Sequence, residues 1–357
     1  MMPENLTINH IAKAMDATPE MVLELAENPR KGFHPAGMRP VNGKMRLITR
    51  PKRAWKVSYS WLGAFLRKEF RYHSSAHGSV PGRSPFTAAR EHLGQKNLLC
   101  RDVKNAFPNV KSDRFYLELL ALGFNPEIAR LLTKLLLPDG YLPQGGPASN
   151  AAIDLFFYRV DCDIAHELSV LRAKYTRFTD GLDVSFNEGS YQAAVAQVIE
   201  KNLNRLGLSI NLKKLDDCGW QPQNKEQIVC GVRVNSCKGT QLPRSALKTL
   251  IAGCESLERG SRSVAPHTIV GLAKKRRSIQ GWLNQAGQAD LAPIRELQRR
   301  VRNADENVRR VLHKCGLHIW RCWYLKNQRI DVAASISTKW LVMRKLSSAV
   351  GPKAPSI

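Results

Sequence analysis

The stretch "YTRFTDGLDVSF", residues 175–186, decides how the middle of this chain is read. Tyr175 and Arg177 on one side, and Leu182, Val184 and Phe186 on the other, form two short runs of strand-forming residues around Asp180-Gly181. Asp-Gly between such runs is a strong hairpin signal, because glycine adopts the positive φ of a tight turn without steric penalty. The expectation is a β-hairpin with Asp180-Gly181 as its turn. Whether Asp180 is also a metal ligand depends on a second carboxylate reaching the same place.

Upstream, "NLLCRDVKNAFPNV" (97–110) reads as an apolar strand that ends at Asp102 and is followed by a turn. A strand end and a hairpin tip on adjacent strands would bring Asp102 and Asp180 to one edge of one sheet. Magnesium takes hard oxygen ligands, often one or two carboxylates completed by substrate phosphates. Two ions held in this way serve nucleotidyl transfer.

Working outward, "NHIAKAMDATPEMVLELAEN" (9–28) has apolar residues at helical spacing, with Thr18-Pro19 as cap and first turn, and reads as a packing appendage. Residues 45–70 begin as a strand, break at Pro51 and continue as a basic amphipathic helix. A loop punctuated by glycine and proline enters a helix near Phe86, and Asn125-Pro126 opens another. "LPQGGPASN" (142–150) is a Gly-rich loop feeding a long helix that runs to 168. A helix over 191–206 follows the hairpin, and "LSINLKK" (208–214) and "QIVCGVRVN" (227–235) read as further strands. The order describes an α+β domain with an antiparallel sheet.

Composition points to the partner. The 357 residues carry 43% hydrophobic and 24% charged side chains, ordinary for a globular protein, but a formal net charge of +25. Self-repulsion on that scale is relieved by a polyanion, and nucleic acid is the commonest. From Pro243 onward the pattern is helical and basic, with 14 Lys and Arg against 4 Asp and Glu in residues 271–330. Trp282, Trp320 and Trp323 lie among these arginines, a mixture suited to RNA loops. No apolar run is long enough to span a bilayer, and the N-terminus lacks the layout of a secretion signal. Eight cysteines without a C-x-x-C pair argue against a zinc ribbon and for reduced thiols in a cytoplasm. Cys100 and Cys230 read as small core residues.

Taken together, the motifs resemble the reverse transcriptases, and most closely the retron reverse transcriptases of bacteria, from about Arg46 to about Arg244. The resemblance implies a right-hand polymerase: an N-terminal helical extension (1–30), fingers (31–97), a palm with interleaved fingers elements (98–243), and a basic helical thumb with a C-terminal extension (244–357). "RDVKNAFPNV" is similar to the first catalytic motif, which implies Asp102 and the adjacent Val103 as metal ligands and Phe107 as the gate against ribonucleotides. "FTDG" stands where the family has an aromatic-x-Asp-Asp signature, implying Asp180 as the second catalytic ligand of two Mg²⁺ ions. Gln144 matches the nucleotide-pocket glutamine. Lys213 or Lys214 matches the lysine near the incoming nucleotide. Arg46, Lys52, Arg53 and Lys56 look like the fingers residues that hold triphosphate and template. "GVRVN" and "LPR" resemble the primer grip. His92, in "AAREH", stands where retron enzymes have a histidine and is implied as an RNA contact, as is the cluster Lys274, Lys275, Arg276 and Arg277.

The implied function is RNA-directed DNA synthesis from dNTPs. A structured noncoding RNA would be both template and primer source for a branched, RNA-linked single-stranded DNA, in anti-phage defence with a separate effector protein and no membrane. Two departures bear on this: the second Asp of the signature is Gly181, and the family's Val-Thr-Gly triplet is "VCG" (229–231). Asp183 should share the face of Gly181, since strand side chains alternate; a residue that partly replaces the missing charge is one reading, and a plain solvent-exposed strand residue is the main expectation. A defence reverse transcriptase with different priming, and a silent nucleic-acid-binding scaffold, are the alternatives.

Overall fold

Alternation of residue type, two by two along each strand, builds the sheet that carries the site. The computed structural model describes residues 6–41, 43–70, 72–212, 219–236, 239–262, 269–286 and 292–314. The chain divides into two compact units, Met1–Thr240 and Gln241–Ile357.

The first unit opens with α1 (Ile8–Met15), α2 (Pro19–Glu27) and the single turn α3 (Pro29–Gly32). Thr18 caps α2 by accepting a hydrogen bond from the Met21 amide at 3.3 Å, with Pro19 in the first turn. Ile11, Met15, Val22 and Leu25 enter the main core, so these helices pack as the sequence reading expects. An antiparallel hairpin follows, β1 (Gly37–Val41) and β2 (Lys44–Ile48), then α4 (Lys56–Glu69) and α5 (Pro85–Glu91).

The central sheet has four antiparallel strands: β3 (Asn97–Asp102), β4 (Lys174–Phe178), β5 (Gly181–Phe186) and β6 (Trp220–Pro222), in the order β4-β5-β3-β6. Between β3 and β4 run the short α6 (Ala106–Asn109), then α7 (Ser112–Ala121), α8 (Pro126–Leu136) and the long α9 (Ser149–Val170). Asn125 caps α8 through its side-chain oxygen, which accepts from the Glu127 amide at 2.8 Å. After β5 comes α10 (Gln192–Arg205), and a small hairpin of β7 (Ile228–Val229) and β8 (Val232–Arg233) closes the unit.

The two faces of the sheet differ in kind. Leu99, Tyr175, Leu182, Val184 and Phe186 join the helices in one core. Leu182, Val184 and Phe186 are fully buried, each stabilising the fold by about 1.5–3 kcal/mol. The opposite face carries Cys100 and Asp102 on β3, Thr176 and Phe178 on β4, and Gly181, Asp183 and Ser185 on β5. This face is polar yet largely buried.

Two expected strands take other forms. "LSINLKK" is no strand over its described part: Ile210 makes a single bridge with Val103, and residues 213–218, with Lys213 and Lys214, lie outside the described residues. "QIVCGVRVN" is a hairpin, because Cys230 (φ 50°) and Gly231 (φ 77°) form a tight turn in its middle. Two successive positive φ angles match the right-handed twist of flanking strands.

The second unit comprises α11 (Arg244–Arg262), α12 (Ile269–Ala286) and α13 (Ala292–Lys314). Leu250, Cys254, Leu257, Leu283, Ile294, Leu297, Val301 and Val308 are buried there. Trp320 and Trp323 lie outside the described residues, and Trp282 is exposed. Among the described residues no helix is long and apolar enough to cross a membrane.

Candidate active site

The register of β4 and β5 moves the turn one residue from its expected position. Phe178 pairs with Gly181, so the two turn residues are Thr179 and Asp180. Thr179 takes the positive φ, 62°, while Gly181 opens β5 without one. Tertiary hydrogen bonds go with this register against the local Asp-Gly preference: the Thr179 carbonyl accepts from Arg177 Nη1 and the Asp180 carbonyl from the Val103 amide, each at 2.9 Å. A Cβ at Gly181 would meet only the Phe178 carbonyl oxygen, at 3.6 Å.

Close packing holds the turn in place. The Arg177 amide donates to the Ser75 carbonyl at 2.7 Å, and the His77 amide donates to the Arg177 carbonyl at 2.8 Å. Gly78 then runs directly under the tip: a Cβ there would lie 2.4 Å from the Thr179 nitrogen. Gly78→Ala is therefore expected to displace Thr179 and its neighbour Asp180, whereas Gly181→Ala should leave the unfolding midpoint within the change of about 0.5 kcal/mol usual for surface substitutions. Thermal unfolding of the two variants checks this contrast.

Asp102 sits opposite Gly181 at the end of β3. The Val103 amide donates to the Asp180 carbonyl at 2.9 Å, tying the strand end to the turn. Asn211 braces Asp102 twice: its amide donates to the Asp102 carbonyl at 2.8 Å, and its side-chain nitrogen lies 3.5 Å from Asp102 Oδ2. Asp102 and Asp180 line a cavity of about 400 Å³ together with Val103, Phe107, Gln144 and Arg46. A second cavity, about 570 Å³, also takes in Asp102 and Asp180, with Asp183, Cys230 and Trp220. Lys52 lines neither of these cavities.

Two carboxylates on a shared cavity are a hard-oxygen donor set. Among the described residues no three His, Cys, Asp or Glu side chains are grouped to hold a metal alone. The donors therefore fit magnesium of the kind that completes its shell with substrate phosphates and water, not a fully protein-caged ion.

Beneath the turn lies a buried ionic network. Arg177 is fully buried; its Nη2 is 2.8 Å from Asp161 Oδ2 and its Nη1 is 2.9 Å from Asp154 Oδ1. Nη1 also donates to the Thr179 carbonyl at 2.9 Å, and the Tyr175 hydroxyl donates to Asp161 at 2.7 Å. Burial alone would lower the Arg177 pKa, but Asp161 and then Asp154 outweigh it and raise it. Burial pushes Asp154 up to about 6 against the pull of Arg177, and Asp154 Oδ2 has no hydrogen-bond partner among the described residues. Sequence reasoning missed this network and Asn211. Its available signal was a pair of carboxylates, Asp154 and Asp161, seven residues apart on an otherwise apolar helix face.

Four residues, His92, Asp183, Cys230 and Arg276, have settings other than those expected. His92, expected as an RNA contact, is buried instead: it is 1% exposed, and its ring nitrogens bond Ser185 Oγ at 2.7 Å and Thr176 Oγ1 at 2.8 Å. Burial, with smaller contributions from His77 and Lys174, pushes it down to about 3, so it stays neutral and ties β4 to β5. Asp183 is buried, not exposed, because the turn of β7–β8 covers it: the Cys230 thiol donates to Asp183 Oδ2 at 3.5 Å. Cys230 is accordingly a polar partner; Cys100 is buried as expected, and its thiol also donates to the Ile228 carbonyl at 3.6 Å. In the basic cluster, Arg276 is held by Asp305, its Nε 2.7 Å from Oδ1, so it ties α12 to α13; Lys274 and Lys275 are exposed.

Comparison with known proteins places this geometry. The family model described as reverse transcriptase (RNA-dependent DNA polymerase) matches residues 31–228, more than half of the chain. The chain belongs to the reverse transcriptase family. It has that family's fold, mixed helices and an antiparallel sheet, with Asp102 and Asp180 at one edge of that sheet. Similar curated proteins include the retron Mx65 reverse transcriptase of Myxococcus xanthus, 29% identical over 216 residues, covering 56% of this chain and 50% of that one. The retron Se72 enzyme of Salmonella heidelberg is 25% identical over 177 residues, covering 48% of this chain and 47% of that one. The retron Ec86 enzyme of Escherichia coli is 24% identical over 241 residues, covering 68% and 71%. The matches thus span about half the length of the Se72 and Mx65 enzymes, and these relatives agree with the retron resemblance of the motifs.

Proposed function

We propose that this reverse transcriptase is an RNA-directed DNA polymerase of the retron type. The observation that carries the reading is the convergence of Asp102, from the end of β3, and Asp180, from the β4–β5 turn, on one cavity with Phe107, Gln144 and Arg46. Two Mg²⁺ ions, when bound, activate a hydroxyl nucleophile and stabilise the departing pyrophosphate. Asp102, Asp180 and Val103 would hold them. Arg46 offers a charged donor suited to triphosphate oxygens. Phe107 and Gln144 shape the space for sugar and base, and Lys52 and Lys213 are assigned to the incoming nucleotide by motif alone.

The template and primer source would be a structured noncoding RNA, bound largely through phosphates by the basic helices, with Lys274, Lys275 and Arg277 contributing. The product would be branched, RNA-linked single-stranded DNA, made in the cytoplasm and serving anti-phage defence with a separate effector protein. Gly181 favours one other reading, a weakened enzyme kept as a nucleic-acid-binding scaffold.

Sequencing the nucleic acid that co-purifies with the protein, and primer extension on that RNA with Mg²⁺ and dNTPs, tests the proposal. RNA-dependent DNA synthesis is expected; bound RNA without any extension would leave the scaffold. Within an active enzyme, Phe107→Ala should raise ribonucleotide use relative to deoxynucleotide by about tenfold or more, since the ring packs where a 2′-hydroxyl would project. Competing dNTP and rNTP incorporation measures it.

A further inference from the structure

We propose that Asp183 is an electrostatic residue of the Asp102–Asp180 site, supplying from two positions further along β5 the negative charge that Gly181 lacks. The inference rests on the polymerase reading above.

Register is the first support. Asp102 faces Gly181 across β3 and β5, and Cys100 faces Asp183. Asp183 is therefore the diagonal neighbour of Asp102 on the same face, a separation of about 7–8 Å between backbones. The second support is the cavity of about 570 Å³, which Asp183 lines together with both catalytic carboxylates and Gly181.

The third support is the way the carboxylate is held. Asp183 is 6% exposed. Its partners are thiols, Cys230 at 3.5 Å and its cross-strand neighbour Cys100. Among the described residues no cation contributes to its ionisation. Burial raises its pKa to about 6, and the two thiols oppose that rise. A buried carboxylate with only weak donors and no counter-ion is costly to keep. Cations entering the shared cavity would offset that cost, and Asp183 would in turn strengthen their binding. Gly181, Asp183 and Cys230 form one set here: a charge absent from one row of the sheet stands in the next, and the thiol of the Val-Cys-Gly turn bonds it.

The rival is a purely structural polar residue, like Thr176 and Ser185 beside it. Direct metal binding by the full chain separates the two, using Mn²⁺ as the probe and electron paramagnetic resonance of the free ion as the readout. Asp183→Asn should weaken Mn²⁺ binding about tenfold, the usual scale for residues that support metal ligands. Adding Gly181→Asp to the same chain should recover most of that loss, which a packing defect would not allow. Asp183→Ser, which keeps an oxygen for the thiols, should weaken binding as well and covers the case in which Asp183→Asn misfolds. If folded Asp183→Asn and Asp183→Ser both bind Mn²⁺ like the parent while Asp102→Asn has lost it, the inference is wrong and the site reading stands. If Asp102→Asn and Asp180→Asn also bind like the parent, both fall together.

Discussion

Asp102→Asn should reduce dNTP incorporation by about 10³-fold or more, and Asp180→Asn should do the same, with RNA binding and the unfolding midpoint retained. Each variant keeps the size and planarity of the side chain but gives up an oxygen anion at the shared cavity. A loss of 10³-fold corresponds to about 4 kcal/mol of transition-state stabilisation, on the scale of removing one essential electrostatic group. The double variant should be little worse than either single one, because the two carboxylates act as a unit and their effects are not additive. Single-turnover extension in Mg²⁺, alongside filter binding of the RNA, measures both quantities. Full activity in either single variant would break the assignment.

Arg177→Ala should be the most destabilising single change in the sheet. The guanidinium is fully enclosed between Asp154 and Asp161, stacks 4.8 Å from the Phe157 ring centre and holds the Thr179 carbonyl. Removing it strands two buried carboxylates, and breaking a buried ion pair in this way costs about 3–5 kcal/mol. Replacing Arg177, Asp154 and Asp161 together by apolar residues should cost far less stability, since no unpaired charge remains. That triple variant should still synthesise more slowly than the parent, because the guanidinium bond that holds the Thr179 carbonyl next to Asp180 is gone. Denaturant unfolding and primer extension on the two variants distinguish stability from positioning. Equal stability of Arg177→Ala and the parent would contradict the enclosure.

The strands that matter most were legible because their signal is local. Leu98, Leu99 and Cys100 lead to Asp102, and Leu182, Val184 and Phe186 alternate, so β3 and β5 could be placed from residue type alone. The turn was not, because the dipeptide preference for Asp180-Gly181 is local, while the contacts that go with Thr179-Asp180 come from Gly78, Val103 and the Arg177 side chain. Asp183 and His92 were misjudged for a different reason. Alternation tells which residues share a face but not what covers it, and the cover here comes from α5 and from the β7–β8 turn, distant in sequence. Arg276 is the same case in the second unit, its partner Asp305 lying on another helix. "QIVCGVRVN" looked continuous because Cys-Gly is a weaker turn signal than Asn-Gly or Asp-Gly.

The alternation of β5 has an evolutionary corollary. Core and chemistry are written on alternate letters of one short word: positions 182, 184 and 186 belong to the interior, and 181, 183 and 185 to the polar face. A single inserted or deleted residue would exchange the two sets, turning Leu182 toward the cavity and Asp183 into the oil. Substitution is far more forgiving, because an odd-numbered residue can change without disturbing an even-numbered one. A strand of this kind evolves by spelling and not by length, and that permits an acidic group to vanish from one odd position while another stands two places on.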